Sequence, residues 1–158
     1  MPESIAVVPD PSSNLYQDIG FKLGPLINSS GRIAKANHVV ELFLTQDDAK
    51  IDKIINQMIS HNLSRKRIEQ ENLDLIDIKK YNNKNVKFIF NKEFHEGIIG
   101  IIAAKLSKIF NKPCFIMTES HDLLKCSIRS ANNVKINKTI NKLIANKLII
   151  SGGGHDEA

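Results

Sequence analysis

The chain contains no tryptophan, two tyrosines, two cysteines and no apolar run long enough to span a bilayer. Each shortage removes a class of protein. Cys114 and Cys126 are too few and too far apart for a zinc knuckle or a CxxC redox motif, and they offer no disulfide framework of the kind small secreted domains use. They read as reduced, buried, small hydrophobes. The longest nearly apolar stretch, residues 97–104, falls far short of the about 20 residues a membrane-crossing helix needs. Near the amino terminus the apolar stretch is limited to residues 5–8, between Pro2, Glu3 and Pro9, Asp10, Pro11, which is not a signal-peptide core. The expectation is a soluble, cytoplasmic protein with no membrane partner.

At 158 residues the chain is the size of one ordinary domain or two small ones, and a compact chain of that length buries roughly 70% of its unfolded surface. A hydrophobic core is within reach. The net charge of +5 is placed unevenly: residues 105–158 hold nine Lys or Arg against four Asp or Glu, whereas the other 104 residues hold thirteen of each. A basic carboxy-terminal third points to a polyanionic partner, because neutralising phosphates releases counterions. The abundance of Lys, Asn and Ile fits an AT-rich coding sequence equally well, so charge by itself leaves the choice open.

No internal repeat is present, and three segments separate by pattern. In residues 1–45, a glycine- and serine-punctuated loop over residues 20–32 precedes a short helix on which Ala36, Val39, Val40, Phe43 and Leu44 recur at helical spacing. That apolar face needs a cover. Residues 46–81 lack Gly and Pro, follow Thr45 with Asp48 three positions on as an approximate capping box, and carry Ile51, Ile54, Ile55, Met58 and Ile59 as a stripe. Unbroken, such a helix would extend roughly 54 Å and act as a strut. From residue 83 onward the element types alternate. Strands are expected at 86–90, 113–117, 123–128 and 148–150, with helices at 97–110 and 134–146, which argues a small α/β layer domain.

Four stretches could carry chemistry. In the first loop, Gly24 and Gly31 free the backbone, Asn28, Ser29 and Ser30 supply short polar groups, and Arg32 offers a bidentate fork for phosphate. The spacing is not that of a P-loop, and an ordinary turn before a helix would look the same. Next, Phe94-His95-Glu96-Gly97 feeds the start of a helix, whose free N–H groups and dipole attract anions, with His95 as an added donor. Here Gly97 and Gly100 equally suit close packing against a sheet, and His95 with Glu93 and Glu96 does not make HExxH, so no metal site is assigned. On the third predicted strand, Ser127 and Arg129 lie two apart and so share a face, as a phosphate-gripping pair or as a plain strand edge. Finally, Gly152, Gly153, Gly154 and His155 could bring bare backbone to a ligand or form a flexible tail.

Taken together and in this order, the four stretches resemble the RecJ family of DHH phosphoesterases. Gly24-Pro25 through Asn28 to Gly31-Arg32 is similar to that family's G-P-x-x-N-A-x-G-R loop, and residues 62–70, with Arg65 and Ile68-Glu69, are similar to its linking helix. Phe94 to Ile101 follows its aromatic-H-x-G-[VI]-[VI]-G-I pattern, Ser127 to Ser130 its S-x-R-S, and Gly153 to His155 its G-G-H. The resemblance covers residues 18–158. It implies an α/β fold: a small mixed-sheet domain with flanking helices over 83–158, a long linking helix over 46–82, and over 1–45 a remnant of the end of a catalytic domain. It also implies 5′ to 3′ exonuclease action on single-stranded DNA in repair or recombination. In such enzymes Mn2+ or Mg2+ held by Asp and His activates water, while the smaller domain grips the strand. By that implication Asn28, Arg32, Ser127 and Arg129 hold phosphates, and His95, Gly153, Gly154 and His155 line the cleft.

The sequence also departs from the family's pattern. It has no D-H-H triplet, too few residues before Asp18 for the aspartate-bearing motifs, serines at 29 and 30 where small apolar residues are usual, Leu26 in place of a frequent Arg, and Cys126 where Gly is common. The last residue, Ala158, falls just inside the G-G-H-x-x-A stretch, so the domain is expected to be truncated. The expectation is therefore a strand-gripping fragment with no catalytic residue, no metal or cofactor of its own, and a separately encoded DHH domain as partner. A stand-alone nucleic-acid-binding module and an inactive remnant are the alternatives. Few aromatics are placed for stacking, so phosphate contact is expected to dominate over base reading.

Overall fold

The computed structural model describes residues 17–34 and 37–155, which divide into two compact units between Lys66 and Arg67. In the first unit, a π-helical segment at Asp18–Leu23 runs into α1 at Gly24–Ile33, followed by α2 at Asn37–Leu44. The segment expected as a loop over residues 20–32 is thus helical. Pro25 sits in the first turn of α1, where no backbone donor is lost, and Gly24 lets its own N–H reach Ile19 O, against which a Cβ would stand at 3.2 Å. The two serines taken for turn formers are fully buried. Ser29 Oγ donates to Leu26 O at 2.7 Å, and Ser30 Oγ pairs with His61 Nδ1 at 3.2 Å, so both hydroxyls are satisfied inside the unit.

Helix α3 spans Asp48–Asp74, 27 residues or about 40 Å, and not the full stretch to residue 81. Its start is capped by Asp47, whose Oδ1 accepts from Lys50 N at 3.2 Å, while Thr45 Oγ1 accepts from Asp47 N at 3.3 Å. Thr45, expected as the capping residue, orients the cap instead. At the other end Asp77 opens a new 3-10 turn, Ile78–Tyr81, by accepting from Lys79 N at 3.1 Å. Asp74 and Asp77 oppose the negative end of the helix dipole, which explains why continuous α-helix stops there. Ile54 and Met58 are buried, and Lys50 binds Glu41 of α2 at 2.7 Å, holding the Glu41 carboxyl below its usual range.

The second unit contains β1 (Lys87–Phe90), α4 (Ile99–Phe110), β2 (Cys114–Ser120), β3 (Leu123–Arg129) and α5 (Ile136–Ala145). The sheet order is β1-β2-β3, with β1 parallel to β2 and β2 antiparallel to β3. The parallel pair needs a crossover, and α4 provides it. One sheet face carries Ile89, Cys114, Ile116 and Thr118, buried with Ile98, Ile99, Ile102, Ala103 and Leu106. Burial pushes the Cys114 thiol up to about 11, keeping it protonated. The opposite face presents Phe88 and Phe90 of β1 and Leu124 of β3 as exposed residues, with Phe88 and Phe115 rings 4.6 Å apart.

Lys87 is buried on the α4 side of β1. Its ammonium donates to Tyr81 O at 2.5 Å, Asn82 O at 3.3 Å and Lys84 O, and lies 4.6 Å from the Phe110 ring centre. Three carbonyls and a ring face replace the water it gives up. Buried Glu69 of α3 pairs with Lys105 of α4, tying the end of α3 to the crossover helix.

The expected final strand over residues 148–150 does not form. Lys147 takes a left-handed conformation, φ 57°, and donates to Ile144 O at 2.9 Å, while Leu148 donates to Leu143 O at 2.9 Å. These are the paired bonds of a Schellman cap on α5. They turn the chain at Lys147 and consume the Leu148 N–H that a strand ladder could have used.

Candidate functional site

The segment between β1 and α4 is built on Asn91 and Thr118. Asn91 Oδ1 accepts from Glu93 N at 2.9 Å, and buried Thr118 on β2 donates from Oγ1 to Phe94 O at 2.8 Å. With Phe94 buried and its carbonyl held by the sheet, the next residue, His95, is fixed at the mouth of α4. His95 organises the turn that leads into α4: its Nδ1 accepts from Gly97 N at 3.1 Å, and its carbonyl accepts from Ile98 N at 2.9 Å and Ile99 N at 3.3 Å, while the helix itself starts after Ile98 with no side-chain cap. A ring that accepts at Nδ1 carries its neutral-state proton on Nε2, so that atom is the donor available to a ligand. The Gly97 N–H, expected to face an anion, is therefore occupied by the imidazole.

Gly100, the second residue of α4, meets β3. A Cβ at this position would stand 3.3 Å from Ser127 Oγ. Ser127 lies opposite Ile116 and Arg129 opposite Cys114, so both project from the helix-covered face and both are half-buried. The hydroxyl and the guanidinium share a face, and the hydroxyl abuts the first turn of α4. Arg129 Nη1 donates to Ile128 O at 3.5 Å.

The same face of β3 also carries Lys125, opposite Thr118. Lys125 Nζ binds Glu96 Oε2 at 3.0 Å, and Ser120 donates to the same oxygen. The Ser120 hydroxyl first, then Lys125, hold the Glu96 carboxyl below its usual range. Sequence reasoning missed this trio. The period-2 alternation that paired Ser127 with Arg129 also reaches Lys125, but Glu96 and Ser120 join only through the fold.

The remaining candidates are less gathered. Gly152 packs its backbone on α5, where a Cβ would meet Ile140 Cγ2 at 3.0 Å. Gly153, Gly154 and His155 are exposed, and among the described residues no hydrogen bond or ion pair joins them to His95, Ser127 or Arg129. Asn28 and Arg32, in the first unit, are both exposed on α1 and stand four residues apart, hence on one helix face. Among the described residues no group of three or more His, Cys, Asp or Glu is arranged to hold a metal ion, and no helix is long and apolar enough to cross a membrane.

Residues 83–158 match the DHHA1 domain family. The single-stranded-DNA-specific exonuclease RecJ of Salmonella typhimurium is 28% identical over 156 residues, a match covering 92% of this chain and 27% of that protein. The RecJ of Escherichia coli is 27% identical over 148 residues, covering 87% and 26%. The chain thus spans about a quarter of the length of the curated relatives it matches. A crystal structure of RecJ in complex with Mn2+ from Thermus thermophilus superposes with a TM-score of 0.78 at 23% identity, over 89% of this chain and 21% of that one.

Proposed function

We propose, on the premise that residues 83–158 form a DHHA1 domain and that the chain is similar to RecJ over most of its length, that this polypeptide supplies the single-strand grip of a RecJ-type 5′ to 3′ exonuclease. Its role is to hold the phosphate backbone during repair or recombination in the cytoplasm. Hydrolysis then falls to a DHH catalytic domain, on this polypeptide's continuation or on a separate one. The D-H-H triplet is absent from this sequence, so the Mn2+ or Mg2+ that activates water would be held by that domain. In this reading residues 1–45 end the catalytic domain, 46–82 link and 83–158 grip.

The observation that carries the proposal is the Gly100–Ser127 contact. It sets a hydroxyl at the first turn of α4, on the face that also bears Arg129, with His95 Nε2–H at the helix mouth. Hydroxyl, guanidinium and imidazole N–H are all donors, and none needs to lose a proton to bind a phosphodiester. Asn28 and Arg32 add donors on α1, and Gly153, Gly154 and His155 bring exposed backbone. The exposed apolar residues Val40, Phe43 and Leu44 of α2 support a domain that docks on the first unit.

Fluorescence anisotropy with a 5′-phosphorylated single-stranded oligonucleotide over a salt series tests this reading. Binding should weaken with salt and fall sharply in an Arg32→Ala, Arg129→Ala variant. Equal binding by variant and parent would remove the site assignment.

A further inference from the structure

The most one-sided part of the chain in charge holds Ser127, Arg129 and Gly153 to His155, and between them α5, which no motif above includes. Between Leu123 and His155 there are six Lys or Arg and no Asp or Glu, whereas the rest of the chain holds sixteen basic and seventeen acidic residues. The entire positive excess of the protein therefore lies in this stretch, and α5 is at its centre.

Helix α5 is amphipathic. Ile136 is buried, and Ile140 and Ile144 approach the backbone of Gly152, so these residues fix which side turns inward. Lys138, Asn141 and Lys142 are exposed on the other side, with Asn137 beside them. Lys138 and Lys142 are one turn apart, about 6 Å along the axis. Among the described residues neither has a carboxylate partner.

The start of the helix makes the charge pattern more telling. Helix α3 opens on Asp47 and Asp48, which complement the positive end of the dipole. Helix α5 has no acidic residue in its first turn and no side-chain cap, and it places Lys138 there. That choice opposes the dipole and forgoes the usual stabilisation. A local rule broken in this way fits a surface selected for an anion.

We propose that the outer face of α5, through Lys138 and Lys142 with Asn137 and Asn141 beside them, is a second track for a nucleic-acid phosphate backbone, outside the Ser127 and Arg129 site. This rests on the reading that the chain grips single strands, and adds a contact region to it. The lysines supply sequence-independent attraction. The asparagine amides beside them supply donors to phosphate or sugar oxygens.

The test measures oligonucleotide affinity against salt for the full chain, for Lys138→Gln/Lys142→Gln, for Lys138→Arg/Lys142→Arg, and for Lys79→Gln/Lys80→Gln as a charge-matched control at exposed positions elsewhere. Two lost phosphate contacts should shrink the slope of log affinity on log salt by about 1.4, so the drop between roughly 50 and 200 mM salt becomes about sevenfold smaller. The arginine pair should keep the parent slope, and so should the control. An unchanged slope in the glutamine pair, with Arg129→Ala still weakening binding, overturns the α5 track and leaves the function standing. Equal slope loss in the control overturns the track too, because net charge alone would then explain the effect. No binding by the parent at any salt overturns both readings, and binding to phosphatidylserine vesicles without binding to oligonucleotide replaces them with a membrane-surface role.

Discussion

Gly100 and Ser127 touch across the helix–sheet boundary, where a Cβ on Gly100 would stand 3.3 Å from Ser127 Oγ. Glycine at this point does not serve the helix, which would gain from alanine. It serves the approach of α4 to β3. Gly100→Ala should therefore leave stability within about 1 kcal/mol of the parent, since helix propensity offsets the crowding. Single-strand affinity should still fall about fivefold as the Ser127 hydroxyl is displaced, the equivalent of one hydrogen bond. Urea unfolding beside anisotropy checks this, and a loss of stability without a loss of binding would show that the contact is only packing.

His95 has two ring nitrogens with separate tasks. Nδ1 accepts from Gly97 N at 3.1 Å, and Nε2–H is left to meet a ligand. His95→Ala should cost about 1 kcal/mol of stability through the lost hydrogen bond from Gly97 N. His95→Asp should recover most of that, because an aspartate side chain also accepts from the backbone N–H two residues on. Yet the aspartate variant should bind single strands more weakly than the alanine variant, since it sets a negative charge where the imidazole donated. If affinity follows stability across the pair instead, His95 holds the turn before α4 and nothing more.

Buried Lys87 fastens the turn after α3 to the sheet through Tyr81, Asn82 and Lys84 carbonyls. Lys87→Met keeps the apolar stem over Phe110 and removes the ammonium. A loss of about 1–2 kcal/mol is expected in urea unfolding, because those carbonyls sit at a partly exposed turn and can return to water. A methionine variant as stable as the parent would show that the buried charge contributes nothing net.

The Glu96 carboxyl, held low by Ser120 and Lys125, contributes to stability in its ionised form. A carboxyl depressed in the folded state stabilises above its unfolded pKa, here 4.5, and that contribution is lost as pH falls through the lower folded value. The parent should therefore lose its advantage over Glu96→Gln as pH drops below about 4.5. Parallel stability curves for the two proteins across that window would discard the Glu96 cluster as a stabilising contact.

What could be read from the sequence follows the range of the interactions involved. Alternation by two placed Ser127 and Arg129 on one strand face, and 3.6-residue spacing marked the helices near residues 37–44 and 99–110, because both signals lie within one element. Residues 20–32 read as a loop because serine and glycine break helices locally. They form helix here because Ser30 finds His61, 31 residues away, and Ser29 finds its own backbone inside a buried turn. The stretch at 148–150 reads as a strand from its apolar residues, but the α5 cap takes the Leu148 N–H.

By itself the sequence determined the α/β alternation, the charge excess after Leu123 and the residue types available to hold a phosphate. Tertiary structure alone decided that Gly100 meets Ser127 and that Lys125 is tied to Glu96. The physical reason is separation along the chain. Composition and period are written in neighbouring residues, whereas a hydroxyl 27 positions beyond a glycine meets it only when the sheet has assembled and a helix has packed across it.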